Sequence, residues 1–208
     1  MKRRSIIYID GFNFYYGAVR GSAYKWLDLE ACFRRLRPDD DLRRIHYFTA
    51  LVDGAKRARQ QTYLRALATL PLVNVILGKF KLKQVKCRVP ACTYSGSRTF
   101  ETPEEKRTDV NIALQLLDDA LHDRADRFVL VSGDSDLVPA LEMVKAQTPE
   151  KELIVYVPSR HPVRGAATEL RSAADKNKTF PLALLRVSQF PSIVPDGRGG
   201  TIRKPVEW

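Results

Sequence analysis

The chain has 208 residues, 44% of them apolar and 28% charged, enough for one domain with a hydrophobic core and unlike a disordered or fibrous protein. Its 35 lysines and arginines against 24 aspartates and glutamates leave a formal charge of +11, which points to a polyanionic partner such as nucleic acid. Three cysteines do not make a disulfide framework and suit a reducing, cytoplasmic setting.

The opening MKRRSIIYIDGF has about four apolar residues before Asp10, short of the roughly 7–15 of a signal-peptide core. No later stretch approaches a transmembrane span, so no membrane partner is expected. The first predicted strand, SIIYI (5–9), runs into Asp10 and Gly11. Asp-Gly between apolar runs signals a hairpin. The alternative is a buried parallel strand ending at Asp10, with Gly11 releasing the chain into a helix whose face carries Phe12, Tyr15, Tyr16 and Val19.

A helix is predicted over LDLEACFRRLR (27–37), a strand over RIHYFTAL (44–51), a helix over AKRARQQTYLRALATL (55–70) and a strand over LVNVILGKFKL (72–82). In the last, Lys79, Lys81 and Lys83 alternate with Phe80 and Leu82, so one side is basic. Such a strand is either an edge guarded by lysine or a track for a phosphate backbone. QVKCRVPACTYSGSRTFETP (84–103) reads as an irregular excursion. Its Cys87 and Cys92 have a spacing seen in zinc sites, but a closed site needs four ligands. Cys32 and His46 lack motif spacing to the pair, so free thiols are the simpler reading.

A long helix is predicted over 103–123, opened by Thr102 as cap, Pro103 at the first position and Glu105 closing a capping box. Ile112, Ala113, Leu116, Leu117 and Ala120 form its apolar stripe. Asp109 falls on that stripe, where burial without a partner is costly; the bland alternative is a carboxylate favoured by the helix dipole. The strand RFVLVS (127–132) then leads into GDSDLVPA, which places Asp134 and Asp136 past its carboxyl end, before a helix over 136–147. Two such carboxylates cap a helix or bind a hard divalent cation. ELIVYV (152–157) is the fifth strand. The stretch FPSIVPDGRGGTIRKPVEW (190–208) is a turn-rich tail, and residues 1–180 are read as the domain with 181–208 as an extension packed on it.

Strands alternating with helices argue for a parallel sheet covered on both faces, which favours the second reading of Asp10. If the first and fourth strands are neighbours, Asp10, Asp109, Asp134 and Asp136 gather at one end of the sheet. Clustered carboxylates repel one another unless a cation neutralises them, so clustering predicts metal.

YIDGFNFYYG, EEKRTDVNIALQLLDDA and FVLVSGDSDLVPAL, in this order and spacing, resemble the NYN domain of the PIN-like nuclease superfamily, especially its LabA-like branch, over about residues 5–175. The resemblance implies a three-layer α/β/α sandwich with a central parallel sheet ordered 3-2-1-4-5, and an acidic Mg²⁺ or Mn²⁺ centre that cleaves RNA. By motif, the catalytic set is Asp10, Asn13, Asp109, Asp134 and Asp136, the four aspartates being the metal ligands. Lys106 and Ser132 match polar positions of the same motifs and are assigned, with Lys79, Lys81 and Lys83, to RNA contact. RNA, single-stranded or structured, is the expected partner, and self-association into a homodimer is left open.

Other functions fit the sequence less well. A serine hydrolase using Ser135 lacks a base, since His46, His122 and His161 are the only histidines and none adjoins a motif. A phosphatase using Asp10 as nucleophile wants a second aspartate where Phe12 stands. An RNA-binding or regulatory module with little turnover is the alternative from a different class, and a small-molecule phosphohydrolase is a third.

Overall fold

The computed structural model describes residues 2–160 and 167–208. β1 (Arg3–Asp10) lies at the centre of a parallel sheet between β2 (Asp40–Thr49) and β6 (Arg127–Val131), in register Ile7 with Ile45 and Ile7 with Val129. β3 (Val73–Leu77) flanks β2, and β7 (Glu152–Val157) flanks β6. The expected order 3-2-1-4-5 is therefore present as β3-β2-β1-β6-β7. A sixth strand, β8 (Lys176–Thr179), pairs with β7 at the edge. It is four residues of exposed KNKT, with no apolar run to signal it.

The central strands are buried on both faces. Ile7, Ile9, Val129 and Val131 join one core with Trp26, Phe33, Leu67 and Phe180; Ile6, Tyr8, Phe128 and Leu130 join the other with Ile112, Leu116, Leu141 and Leu170. The period of two along β1 sends alternate side chains into the two layers. α2 (Leu29–Leu36), α3 (Arg57–Leu67) and α7 (Ala183–Val187) supply the first core; α4 (Thr108–Leu121), α5 (Val138–Gln147) and α6 (Thr168–Ala173) supply the second. After Phe180, Phe190, Val194 and Ile202 are buried, and the Trp26 indole donates to Pro191 O at 2.8 Å. Among the described residues no helix is long and apolar enough to cross a membrane.

The predicted third strand breaks at Gly78. Its second half is β4 (Lys79–Lys86), which pairs antiparallel with β5 (Thr99–Lys106) in a separate two-stranded sheet. The helix expected from Pro103 is therefore strand as far as Lys106, and the excursion over 84–103 is irregular only between the two strands. Lys106 stands on β5, not on a helix face with Asp109. The correction has a physical cause. A capping box is a local pattern, whereas Glu101 and Glu104 lie across from Gln84 and Lys81 on a strand about 20 residues upstream, and the ladder outweighs the local preference. Arg107, at φ 82°, turns the chain, and Thr108 N donates to Glu105 Oε1 at 3.3 Å, so the glutamate caps α4 from outside it.

At the amino ends of the strands acids are matched by bases. Asp40 is held by Arg37 at 2.8 Å and by Arg127, and Glu152 by Arg127 at 2.6 Å and Arg3 at 3.0 Å. The opposite end of the sheet is different.

Candidate metal centre

β1 ends at Asp10, which leaves the strand with extended backbone and caps α1 (Gly11–Phe14) by accepting Asn13 N at 3.0 Å. The chain passes so close to β2 here that a Cβ on Gly11 would meet Phe48 O at 2.4 Å and the Tyr47 ring at 2.9 Å. Gly11 is thus a close-approach glycine rather than half of a hairpin turn. Gly11→Ala is expected to destabilise the fold by roughly 1–3 kcal/mol, read as a lower urea midpoint with an unchanged slope; an unaltered midpoint would contradict this account.

The second half of the centre comes from β6, paired with β1 up to Val131 opposite Ile9. The Ser132 hydroxyl donates to Asp10 Oδ2 at 3.0 Å and accepts Asp134 N at 3.1 Å. Asn13 Oδ1 accepts Gly133 N at 2.9 Å. Asp134 Oδ1 accepts Asp136 N at 3.0 Å and caps the short turn Ser135–Leu137. The two strand ends are thereby tied together through the residues singled out in the sequence.

α4 brings Asp109 in its first turn. One carboxylate oxygen from each of Asp10, Asp109 and Asp134 lies within 4.8 Å of the others. Asp136 is exposed and stands outside that group. Among the described residues none of the four aspartates has an ion-pair partner, in contrast to Asp40 and Glu152 at the other end of the sheet. Asp10 is only 4% exposed, and burial, with the charges of Asp134 and Glu105 adding to it, pushes its carboxyl up against the opposing hydrogen bonds from Asn13 and Ser132. Asp109 is pushed up to about 6, by burial first and then by Asp10, Asp134, Glu105 and Asp136. This donor set of hard, mutually repelling oxygens fits a hard divalent cation.

A proton on Asp109 competes with a cation. Cation affinity is therefore expected to rise by about tenfold per pH unit up to about pH 6 and to level off above it. In the metal-free protein the raised folded-state value means that the unfolded chain gives up this proton first, so stability falls as the pH rises from about 4 to about 6. Calorimetric titration with Mn²⁺ at pH 5, 6 and 7 checks the first statement; a flat affinity would remove Asp109 from the ligand set.

Glu105, not selected in the sequence, adds a fifth negative charge that both Asp10 and Asp109 feel. Its signal was the Lys/Glu complementarity of 79–83 with 101–106, legible only as a hairpin. Lys79, Lys81 and Lys83 are exposed on β4, while Lys106 pairs with Glu104 at 3.0 Å. Cys87 and Cys92 join no group of three or more metal-ligating side chains among the described residues. His46 is buried beside Asp119, His122 pairs with Asp118 on the surface, and His161 lies outside the described residues.

Comparison with known proteins agrees on the fold. The sequence model of the family described as NYN domain matches residues 4–181. The 6-hydroxy-3-succinoylpyridine 3-monooxygenase HspA of Pseudomonas putida (strain DSM 28022 / S16) is 35% identical over 237 residues, spanning 99% of this chain and 75% of that protein. The crystal structure of VPA0982 from Vibrio parahaemolyticus RIMD 2210633, a protein of unknown function, superposes with a TM-score of 0.53 at 22% identity. It covers 86% of this chain and 94% of that one, a likeness of fold alone.

Proposed function

The chain belongs to the NYN domain family of the PIN-like superfamily, and on that premise we propose that it is a divalent-cation-dependent ribonuclease. One observation carries the reading: one carboxylate oxygen from each of Asp10, Asp109 and Asp134 lies within 4.8 Å of the others, with no ion-pair partner among the described residues, where β1, β6 and the first turn of α4 meet at the carboxyl end of the sheet. The net charge of +11 supports a polyanionic substrate.

Asp10, Asp109 and Asp134 would hold Mg²⁺ or Mn²⁺, which when bound neutralises charge on a phosphodiester and acidifies a water at neutral pH. The Ser132 hydroxyl and the Asn13 backbone N–H keep Asp10 in one orientation, so that ligand geometry is set before substrate arrives. Asn13 and Asp136 stand beside this group through Gly133 and Asp134 and are suited to position a phosphate oxygen or a water. Attack of water on phosphorus breaks the bond to the 3′ oxygen, which takes up a proton; the products are a 5′-phosphate and a 3′-hydroxyl.

The test incubates metal-free protein with end-labelled single- and double-stranded RNA and DNA, with Mg²⁺ or Mn²⁺ added, beside Asp134→Ala. Cation-dependent cuts in RNA that vanish in the variant support the reading. Binding of RNA with no product under any cation favours a regulatory module instead. The 35% identity to HspA supports a second reading, oxygenation of a hydroxylated pyridine. It is tested in the same series by supplying 6-hydroxy-3-succinoylpyridine, a two-electron reductant and oxygen and following loss of the pyridine.

A further inference from the structure

The hairpin β4–β5 stands apart from the parallel sheet, rooted one residue after β3 and one residue before α4. Its register sorts the side chains. Lys79 with Lys106, Lys81 with Glu104, Lys83 with Thr102 and Val85 with Phe100 share one face. Phe80 with Glu105, Leu82 with Pro103, Gln84 with Glu101 and Lys86 with Thr99 share the other. That second face turns to the domain at its root: Phe80 meets the ring of Phe12 edge-on, centroids 5.4 Å apart, and Glu105 caps α4. Glu104 pairs with Lys83 at 3.3 Å and Lys106 at 3.0 Å, which agrees with their sharing the first face.

The first face carries four lysines against one glutamate, and Phe100, 53% exposed, lies towards its far end. Lysine alone would guard a free edge, but an exposed phenylalanine works against that purpose. Lysines at alternate positions are about 7 Å apart along a strand, the scale of successive phosphates on an extended polynucleotide. An aromatic ring stacks on an unpaired base, which a duplex does not offer.

We propose that this face is a docking arm for single-stranded RNA, with Lys79, Lys81, Lys83 and Lys106 following the backbone away from the carboxylates and Phe100 stacking on a base. The proposal rests on the nuclease reading and deepens it by naming the form of substrate.

Binding is measured by fluorescence anisotropy in chelator, where no turnover is needed, on labelled single-stranded and duplex RNA over a series of salt concentrations. The triple variant Lys79→Gln, Lys81→Gln, Lys83→Gln is expected to flatten the slope of log affinity against log salt by about 2 for the single strand. Phe100→Ala is expected to weaken single-strand binding by roughly 5- to 150-fold, with the salt slope and duplex binding unchanged. Lys86→Gln, on the other face, leaves the slope as it was. An unchanged slope in the triple variant, equal losses on duplex and single strand in Phe100→Ala, or a Lys86→Gln effect as large as a third of the triple variant's would overturn the arm. If the arm variants behave as expected while no cation-dependent product ever forms, the nuclease reading fails and the arm stands; product with unaltered binding is the reverse.

Discussion

On the ribonuclease reading, Asp109→Asn is expected to lower cation-dependent cleavage of RNA by more than about 100-fold, while the metal-free variant is expected to melt at the same temperature as the wild type or above it. The two halves of this result come from one structural fact. Asp109 has no hydrogen-bond or ion-pair partner among the described residues, and its carboxyl sits at about 6 because burial and the neighbouring acids oppose its charge. An amide keeps the shape, removes the repulsion and cannot supply an anionic ligand. Loss of a partner that merely supports a ligand costs about 10- to 100-fold, so loss of the ligand goes beyond that. Asp10 and Asp134 are less clean targets, because each also accepts a backbone N–H that caps the turn after its strand. Initial rates with Mn²⁺ and thermal melts in chelator decide the matter. Cleavage within tenfold of wild type removes Asp109 from the centre, and a melt several degrees lower makes it a structural residue.

Asp119→Ala is expected to cost about 3–5 kcal/mol, a drop in melting temperature of roughly 6–20 °C for a chain of this size. Asp119 is 1% exposed and sits on α4, ten residues beyond Asp109. Tyr8 of β1 donates to its Oδ2 at 2.6 Å, His46 Nε2 of β2 lies 3.4 Å from the same oxygen, and Gln115 and Arg124 donate to Oδ1 at 3.1 and 2.6 Å. Burial opposes its charge, but the hydrogen bonds from His46, Tyr8 and Arg124 outweigh burial and hold the carboxyl at about 2. Alanine leaves a buried tyrosine hydroxyl and an imidazole without their acceptor. Because the folded-state value is lowered, the contribution of Asp119 is complete above about pH 4 and is lost as the pH falls towards about 2. Urea denaturation at pH 7 and pH 3 measures both; a loss under 1 kcal/mol at pH 7 would show the network to be dispensable. The same cluster fixes α4 against β1 and β2, so it also holds Asp109 in register with Asp10.

Much of this centre was legible in the sequence, and the reason lies in how local its parts are. Asp10 follows a buried strand, Asp134 follows another, and Asp109 interrupts an apolar stripe, so each could be placed from its own neighbours and the strand–helix alternation. Ser132 and Asn13 were selected by motif, and the structure shows what they do, bridging the two strand ends. Glu105 and Lys106 were misplaced because a capping box and a strand read alike over five residues, and the partner strand lies about 20 residues upstream. The burial of Asp119 carried no local signal: Gln115 and Arg124 are near it in sequence, but the buried partners that fix it, Tyr8 and His46, come from β1 and β2, more than 70 residues away.

Sequence by itself determined the alternation of strands and helices that makes a parallel α/β sandwich, and the aspartates at strand and helix ends, because apolar period and residue type act over a few positions; the order of the first five strands was implied only by the resemblance to the NYN domain. Tertiary structure decided which carboxylates stand within a cation's reach, that 99–106 is strand, that a sixth strand closes the edge, and that Asp119 locks the helix bearing Asp109. Those are contacts between segments distant along the chain, where the free energy of pairing and burial overrides the local preference of either segment alone.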